Sequence, residues 1–338
     1  MPNTPIHPAE PPRLSLAQLP TPLVELPNLA AFREIPRILV KRDDLTGFET
    51  SGNKIRKLEY VIADAVAKGA KALVTHGGFQ SNHCRATAAL AARLGLRCRL
   101  ILRAPEEAGN DGNLFLDRLF GARISLHSPA EYNERRPALI DQAMAEERDG
   151  GRTPYFFPVG ASIPLGCWGY IRCMHEILAQ VGPDQPIDVF APVSSSGTIA
   201  GLILGKALFR ADHVRVLGIP VSDSLEFFRN DVRRLLDETI AQFNLGLTPE
   251  QTPIELVDGY IGEGYAIPTP RAIETIKVVA RCEGVLMDPT YTGKAMVGFL
   301  DAATGNQVRQ GATPLFIHTG GAFGLLARRD LFEAPSLK

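Results

Sequence analysis

Lys54, Arg56 and Lys57 follow within a few positions of the turn Ser51-Gly52-Asn53. A lysine amine becomes a nucleophile toward a carbonyl when its positive charge is disfavoured, and neighbouring cations help to disfavour it. The chemically empty alternative is a solvated helix start. Further on, Ser194-Ser195-Ser196-Gly197-Thr198 joins an apolar run to a helical stretch, so hydroxyls and backbone N–H groups gather at a helix N-terminus as an anion cradle. Its alternative is a serine-rich N-cap. THGGFQSNH and IHTGGAFG repeat the combination of small polar residues and glycine where a strand hands over to a helix or turn, the place where parallel α/β sheets hold ligands. A P-loop requires a lysine directly after its last glycine, and a dinucleotide site requires G-x-G-x-x-G with a later acidic residue; neither is present. An anion held without them points to a small phosphorylated cofactor.

These residues need a scaffold, and the pattern around them supplies one. Short apolar runs (RILVKR, KALVTH, CRLILR, PLFIHT) alternate with longer stretches of helical spacing, which predicts βαβ units and a parallel sheet. The spacing predicts a helix from Ile55 to Lys68 with Leu58, Ile62 and Ala65 on one stripe and Gly69 as its stop. A second helix covers CRATAALAARLG. Residues 129–153 are charged and weakly periodic, an exposed helix of a smaller domain. LGCWGYIRCMHEILAQVG then reads as a helix leading into the strand DVFAPV and the serine turn.

The 338-residue length fits two domains sharing a cleft. With 36 basic and 37 acidic side chains the chain has no broad attraction for nucleic acid or anionic membranes, so a small-molecule partner is expected. Five scattered cysteines without a C-x-x-C pair argue against a disulfide framework and against a metal site, and fit a reducing, cytoplasmic setting. The proline-rich start has no apolar run and is neither a secretory signal nor a membrane span; it reads as an arm on the surface.

The segments KRDDLTGFETSGNKIRKLEY, GGFQSNHCRATA, GCWGYI, SSGTIAGL, GEGYA, DPTYTGKAM and HTGGAFGL occur in the order found in the D-cysteine desulfhydrase and 1-aminocyclopropane-1-carboxylate (ACC) deaminase family, which the chain resembles from about residue 14 to 326. The resemblance implies a pyridoxal 5'-phosphate (PLP) enzyme of fold type II, similar to the tryptophan synthase β subunit. Such a fold has two open, twisted, mostly parallel sheets with helices on both faces. It implies a large cofactor domain of residues 1–55 and 166–338, a small domain of 56–165 closing over the site, and a homodimer. By the same resemblance Lys54 carries PLP as a Schiff base and Lys57 reaches toward its phosphate. Ser194, Ser195, Ser196, Gly197 and Thr198 cradle that phosphate. Ser81, Asn82 and His83 bind the substrate carboxylate, with Ser81 also in proton transfer and Asn82 beside the ring hydroxyl. Tyr291 faces the substrate as a catalytic group and Tyr265 lines its pocket. For His83 and His318 a structural role is an equal alternative.

Two positions speak to the reaction. ACC deaminases carry a glutamate directly after the tyrosine of D-P-x-Y and an apolar residue in H-x-G-G, whereas this chain has Thr292 and Thr319, as in desulfhydrases. A hydroxyl near the pyridine nitrogen gives a weaker electron sink than a carboxylate. That suits loss of a β-substituent from D-cysteine or a close analogue. ACC deamination, L-cysteate desulfonation and a non-catalytic PLP or amino-acid binding module are the alternatives. Ser194 departs from the glycine usual in relatives, where a residue without Cβ is free to take positive φ.

Overall fold

Ten strands form two sheets among the described residues, 6–332, of the computed structural model. In chain order they are β1 (Leu23–Glu25), β2 (Leu39–Lys41), β3 (Ala72–Gly78), β4 (Arg97–Arg103), β5 (Arg123–His127), β6 (Pro154–Phe156), β7 (Ile187–Val193), β8 (Val214–Pro220), β9 (Glu255–Leu256) and β10 (Thr313–Ile317). One sheet has the order β1-β2-β10-β7-β8-β9 and the other β5-β4-β3-β6. Every neighbouring pair is parallel except β1 with β2. All seven residues of β7 are buried, as are six of the seven in β3. Strands covered by helices on both faces read as continuous apolar runs without alternation, and that is how these runs read in the sequence.

The helix after the GNK turn runs Lys54–Ala67, and Leu58, Ile62 and Ala65 are fully buried along it. Gly69 follows with φ 72°, the left-handed stop a glycine adopts without strain. The charged stretch forms the Pro129–Asp149 helix, which buries Tyr132, Leu139, Ala143 and Glu147 and leaves most of its length to solvent. The predicted arm is docked rather than loose. Ile6 and Ala9 pack on the larger core, Leu14, Leu16 and Ala17 on the smaller one, and Arg172 donates to Glu10 at 2.8 Å. Residues 1–5 of that arm lie outside the described residues. No helix of the described residues is long and apolar enough to cross a membrane.

Three packed helices set the geometry of the site: Lys54–Ala67, Pro164–Val181 and Gly197–Leu208. A Cβ at Gly169 would lie 2.5 Å from the Arg56 carbonyl group, so only glycine lets the first two helices cross backbone against backbone. The same crossing is pinned by a buried ion cluster. Arg56 donates to Asp43 at 2.8 Å and to Glu176 at 2.9 Å, and Tyr170 donates to Asp43 at 2.6 Å. A buried guanidinium is tolerated here because carboxylates and a carboxylate-bound phenol complete its surroundings.

Candidate active site

The C-terminal ends of β3, β4 and β7 and the turn after β10 converge on a cavity of about 620 Å³. Lys54, Ser81, Asn82, His83, Ser194, Ser195, Ser196, Tyr265, Tyr291 and Thr319 all line it. Segments from 54 to 319 thus meet because parallel strands end on one side of each sheet. Lys57, Gly197, Thr198 and Thr292 are outside that lining, and each has a reason.

The GNK turn is locked against the later loops. Gly52 has φ 111°, and a Cβ there would sit 2.7 Å from the Thr319 carbonyl oxygen. Asn53 donates its backbone N–H to that carbonyl at 3.1 Å and its side-chain amide to the Thr198 hydroxyl at 3.0 Å. Lys54, first residue of its helix, is thereby aimed into the cavity, with Nζ donating to Ser195 Oγ at 3.3 Å. Burial brings its pKa down to about 8.

Activation of Lys54 therefore comes from desolvation, which corrects the expectation that adjacent cations supply it. The Arg56 charge is taken up by Asp43 and Glu176. Lys57 is fully buried behind the serine turn, donating to the Gly160 carbonyl at 3.1 Å and to Ser162 Oγ at 3.5 Å. Burial and then the Lys54 charge hold its pKa well below the ordinary lysine value. One helical turn separates residues 54 and 57, but the second side chain points beneath the cradle. Gly197 likewise gives its N–H to Ser162 Oγ at 3.2 Å. Thr198 is engaged by Asn53. The cavity face of the cradle is thus Ser194, Ser195 and Ser196, with the Ser196 hydroxyl donated to Asp231. Ser194 does not take a positive φ, so the serine introduces no backbone strain.

Thr292 is the second correction. Its hydroxyl donates to Asp288 Oδ1 at 2.8 Å and accepts the Asp288 N–H at 2.8 Å, and it is fully buried. Asp288 also accepts the N–H groups of Thr290, Tyr291 and Thr292, each at 2.9 Å, capping the Thr292–Thr304 helix. Position 292 is therefore spent on holding a buried carboxylate. An aspartate ahead of a helix, as in DPTYT, is the sequence signal for such a cap.

Ser81 caps the Asn82–Arg93 helix by accepting the Cys84 N–H at 3.3 Å, which leaves its own hydroxyl proton available to the cavity. Thr75 gives its proton to the Phe157 carbonyl at 2.8 Å, so the 2.9 Å contact between Thr75 Oγ1 and His83 Nε2 requires Nε2 to be the protonated nitrogen of His83. His83 Nδ1 is left as a buried acceptor without a partner. Burial first, then the nearby Lys54 charge, keep this imidazole neutral. His318 is structural: Nε2 faces the Leu286 carbonyl at 2.8 Å and Nδ1 accepts the Gly320 N–H at 3.2 Å. The hydroxyls of Tyr265 and Tyr291 meet at 2.6 Å, and burial raises the pKa of both.

A family model described as pyridoxal-phosphate dependent enzyme matches residues 14–320. The chain belongs to that family. It is 41% identical over 317 residues to a putative ACC deaminase of Thermotoga maritima, covering 94% of this chain and 98% of that protein. It is 40% identical over 327 residues to the mitochondrial bifunctional D-cysteine desulfhydrase/ACC deaminase of Arabidopsis thaliana, covering 94% of this chain and 80% of that one. It is also 40% identical over 324 residues to a D-cysteine desulfhydrase of Yersinia pestis, covering 94% and 96%. A solved structure of an ACC deaminase homologue superposes with a TM-score of 0.88 at 35% identity, covering 97% of this chain and 99% of that one. The protein is thus a PLP enzyme of the desulfhydrase/deaminase type with the type II fold expected from its sequence.

The residues present fit PLP. A desolvated amine and three serines at a helix N-terminus face one cavity, and a carbonyl compound carrying a phosphate matches that set. Asn113 is a further participant with no signal in the sequence. Fully buried, it donates to the Gln80 carbonyl at 2.8 Å and to Asn82 Oδ1 at 3.1 Å, while its N–H goes to Gln80 Oε1 at 2.9 Å. That clasp fixes the Asn82 amide with its oxygen turned to Asn113. Asn113→Asp sets a carboxylate oxygen against Asn82 Oδ1, and PLP affinity is expected to fall by roughly tenfold, the equivalent of one lost buried hydrogen bond. PLP titration of the apoprotein checks it, and Asn113→Ala is expected to be milder.

Proposed function

We propose that the enzyme catalyses β-elimination from D-cysteine, or a close β-substituted amino acid, to sulfide, pyruvate and ammonia. The observation that carries this reading is the pair of threonines: Thr319 lines the cavity and Thr292 brings no second carboxylate to the buried Asp288. Bound PLP supplies an aldehyde for an amino group and a ring that withdraws electrons from Cα. Lys54 would hold it, Ser194 to Ser196 would receive its phosphate, and Asn82 would contact its ring. Gly197, Thr198 and Lys57 support that cradle from behind. Ser81 and Asn82 offer donors to the substrate carboxylate. The Lys54 amine, with a pKa of about 8, is poised to take the Cα proton near neutral pH. The Tyr265–Tyr291 pair has one hydroxyl proton left over from its mutual bond to pass to a departing sulfur.

The small-molecule substrate is an amino acid in this reading, with residues 56–165 closing over it, and the enzyme is a cytoplasmic homodimer. Retention of Lys54, Ser81, Asn82 and Tyr291 around one cavity favours an enzyme over a binding module. The test is product analysis with D-cysteine, L-cysteine, β-chloro-D-alanine, L-cysteate and ACC supplied separately. Pyruvate from D-cysteine is expected at a kcat/KM roughly 100-fold or more above that for 2-oxobutyrate from ACC. Efficient ACC turnover would sink the reading. Thr292→Glu is expected to lower stability rather than to install deaminase chemistry alone, because it puts a carboxylate beside buried Asp288 and removes its hydroxyl donor.

A further inference from the structure

Arg103 is the last residue of β4 and lines the cavity, half-buried, on the wall built by the four-stranded sheet. Its guanidinium carbon lies 5.0 Å from the centre of the Tyr265 ring and 5.9 Å from that of Tyr132. Tyr265 is the residue whose hydroxyl meets Tyr291 at 2.6 Å, so Arg103 stands beside the tyrosine pair and on a different sheet from the serine cradle. Arg136, exposed at the same cavity, lies 5.9 Å from the Tyr132 ring.

Neither guanidinium makes a side-chain hydrogen bond or an ion pair with any of the described residues. Arg234, which also lines the cavity, is engaged with Asp231 at 2.5 Å. A guanidinium lying over an aromatic face keeps its N–H edge free, and that planar edge matches the oxygens of a sulfonate, carboxylate or phosphate two at a time. A half-buried cation with an open fork, held against the residues that face the substrate, is arranged to receive an anion that the protein itself does not supply.

Resting on the elimination reading, we propose that Arg103 is a specificity-determining residue that binds an anionic β-substituent of the substrate, with Arg136 as an outer cation that draws it in. For a sulfonate the step balances without oxidant or reductant. The Cα proton goes to the Lys54 amine, and the Cβ–S bond breaks with its electron pair leaving on sulfur as sulfite. Water then hydrolyses the released enamine to pyruvate and ammonium.

The experiment uses holoenzyme and two readouts. Calorimetric binding of 3-sulfopropanoate and of butanoate, which share a carboxylate and differ in the far charge, is compared in wild type, Arg103→Met, Arg103→Lys and Arg136→Met. The kcat/KM values for D- and L-cysteate and for uncharged β-chloro-D-alanine are measured on the same proteins. Wild type is expected to prefer the sulfonate by at least about tenfold, Arg103→Met to lose that preference, Arg103→Lys to keep part of it, and β-chloro-D-alanine turnover to stay within about twofold. Arg136→Met is expected to lower the sulfonate preference by a smaller factor. Equal binding of the two ligands by wild type, or an equal loss for charged and uncharged substrates in Arg103→Met, overturns the proposal. If no protein forms pyruvate, the elimination reading fails, and the binding comparison still decides Arg103. Should Arg103→Met not fold, Arg103→Lys and Arg136→Met carry the same comparison.

Discussion

Lys54→Ala is expected to leave a folded protein whose turnover is lower by at least about three orders of magnitude, because both the covalent anchor and the group placed to move the Cα proton disappear. Folding is expected to survive, since Lys54 is only half-buried and its side-chain bond is the 3.3 Å contact with Ser195. Lys57 cannot take over. It is enclosed beneath the cradle and bonded to Gly160 and Ser162. Borohydride reduction followed by peptide mapping is expected to place the pyridoxyl group on Lys54 in the wild type and on no lysine in the variant. A pyridoxyl group on another lysine would overturn the site. The pH dependence follows from burial. With a pKa lowered to about 8, the amine is mostly protonated at pH 6 and mostly free at pH 9. Capture of PLP by apoprotein is therefore expected to quicken by roughly tenfold per pH unit below 8 and to level off above it.

Gly197→Val is expected to weaken PLP retention by at least about tenfold. A Cβ at Gly197 would lie 3.0 Å from Lys57 Nζ, 3.1 Å from Ser162 Oγ and 3.2 Å from Ser162 Cα, so a branched side chain must displace the two groups that hold the turn from behind. The Gly197 N–H bond to Ser162 Oγ goes with them. Ser194 to Ser196 then lose the backing that fixes their cavity face. Gly197→Ala, adding only the methyl group, is expected to fall between. Equilibrium dialysis of PLP against each variant checks the order, and undiminished affinity in Gly197→Val would remove the loop from the site.

The fold class was legible because strands buried on both faces leave continuous apolar runs, and β3, β4, β7 and β10 are such runs. The Lys54–Ala67 helix showed in the spacing of Leu58, Ile62 and Ala65. The serine turn was legible as a strand-to-helix junction, where local residue types fix what the backbone presents, whereas Lys54, Ser81 and Asn82 were singled out by the order of motifs shared with the family. Asn113, which clasps Asn82 across 31 positions, and Arg103, a strand residue with no glycine near it, left no such mark.

What the sequence by itself determined is therefore periodic and local: parallel strands, the helices between them, and the junctions where ligands sit. The tertiary structure decided direction and partnership. It turned Lys57 under the cradle although it lies three residues from Lys54, tied Arg56 to Asp43 and Glu176, and closed the Thr292 hydroxyl onto Asp288. It also left Arg103 with an open edge beside Tyr265. The physical reason is that spacing along a helix or strand fixes which face a side chain leaves from. Whether its charge or hydroxyl is then spent inside the protein or offered to a ligand depends on which distant groups the packing of helices and sheets brings within hydrogen-bond reach.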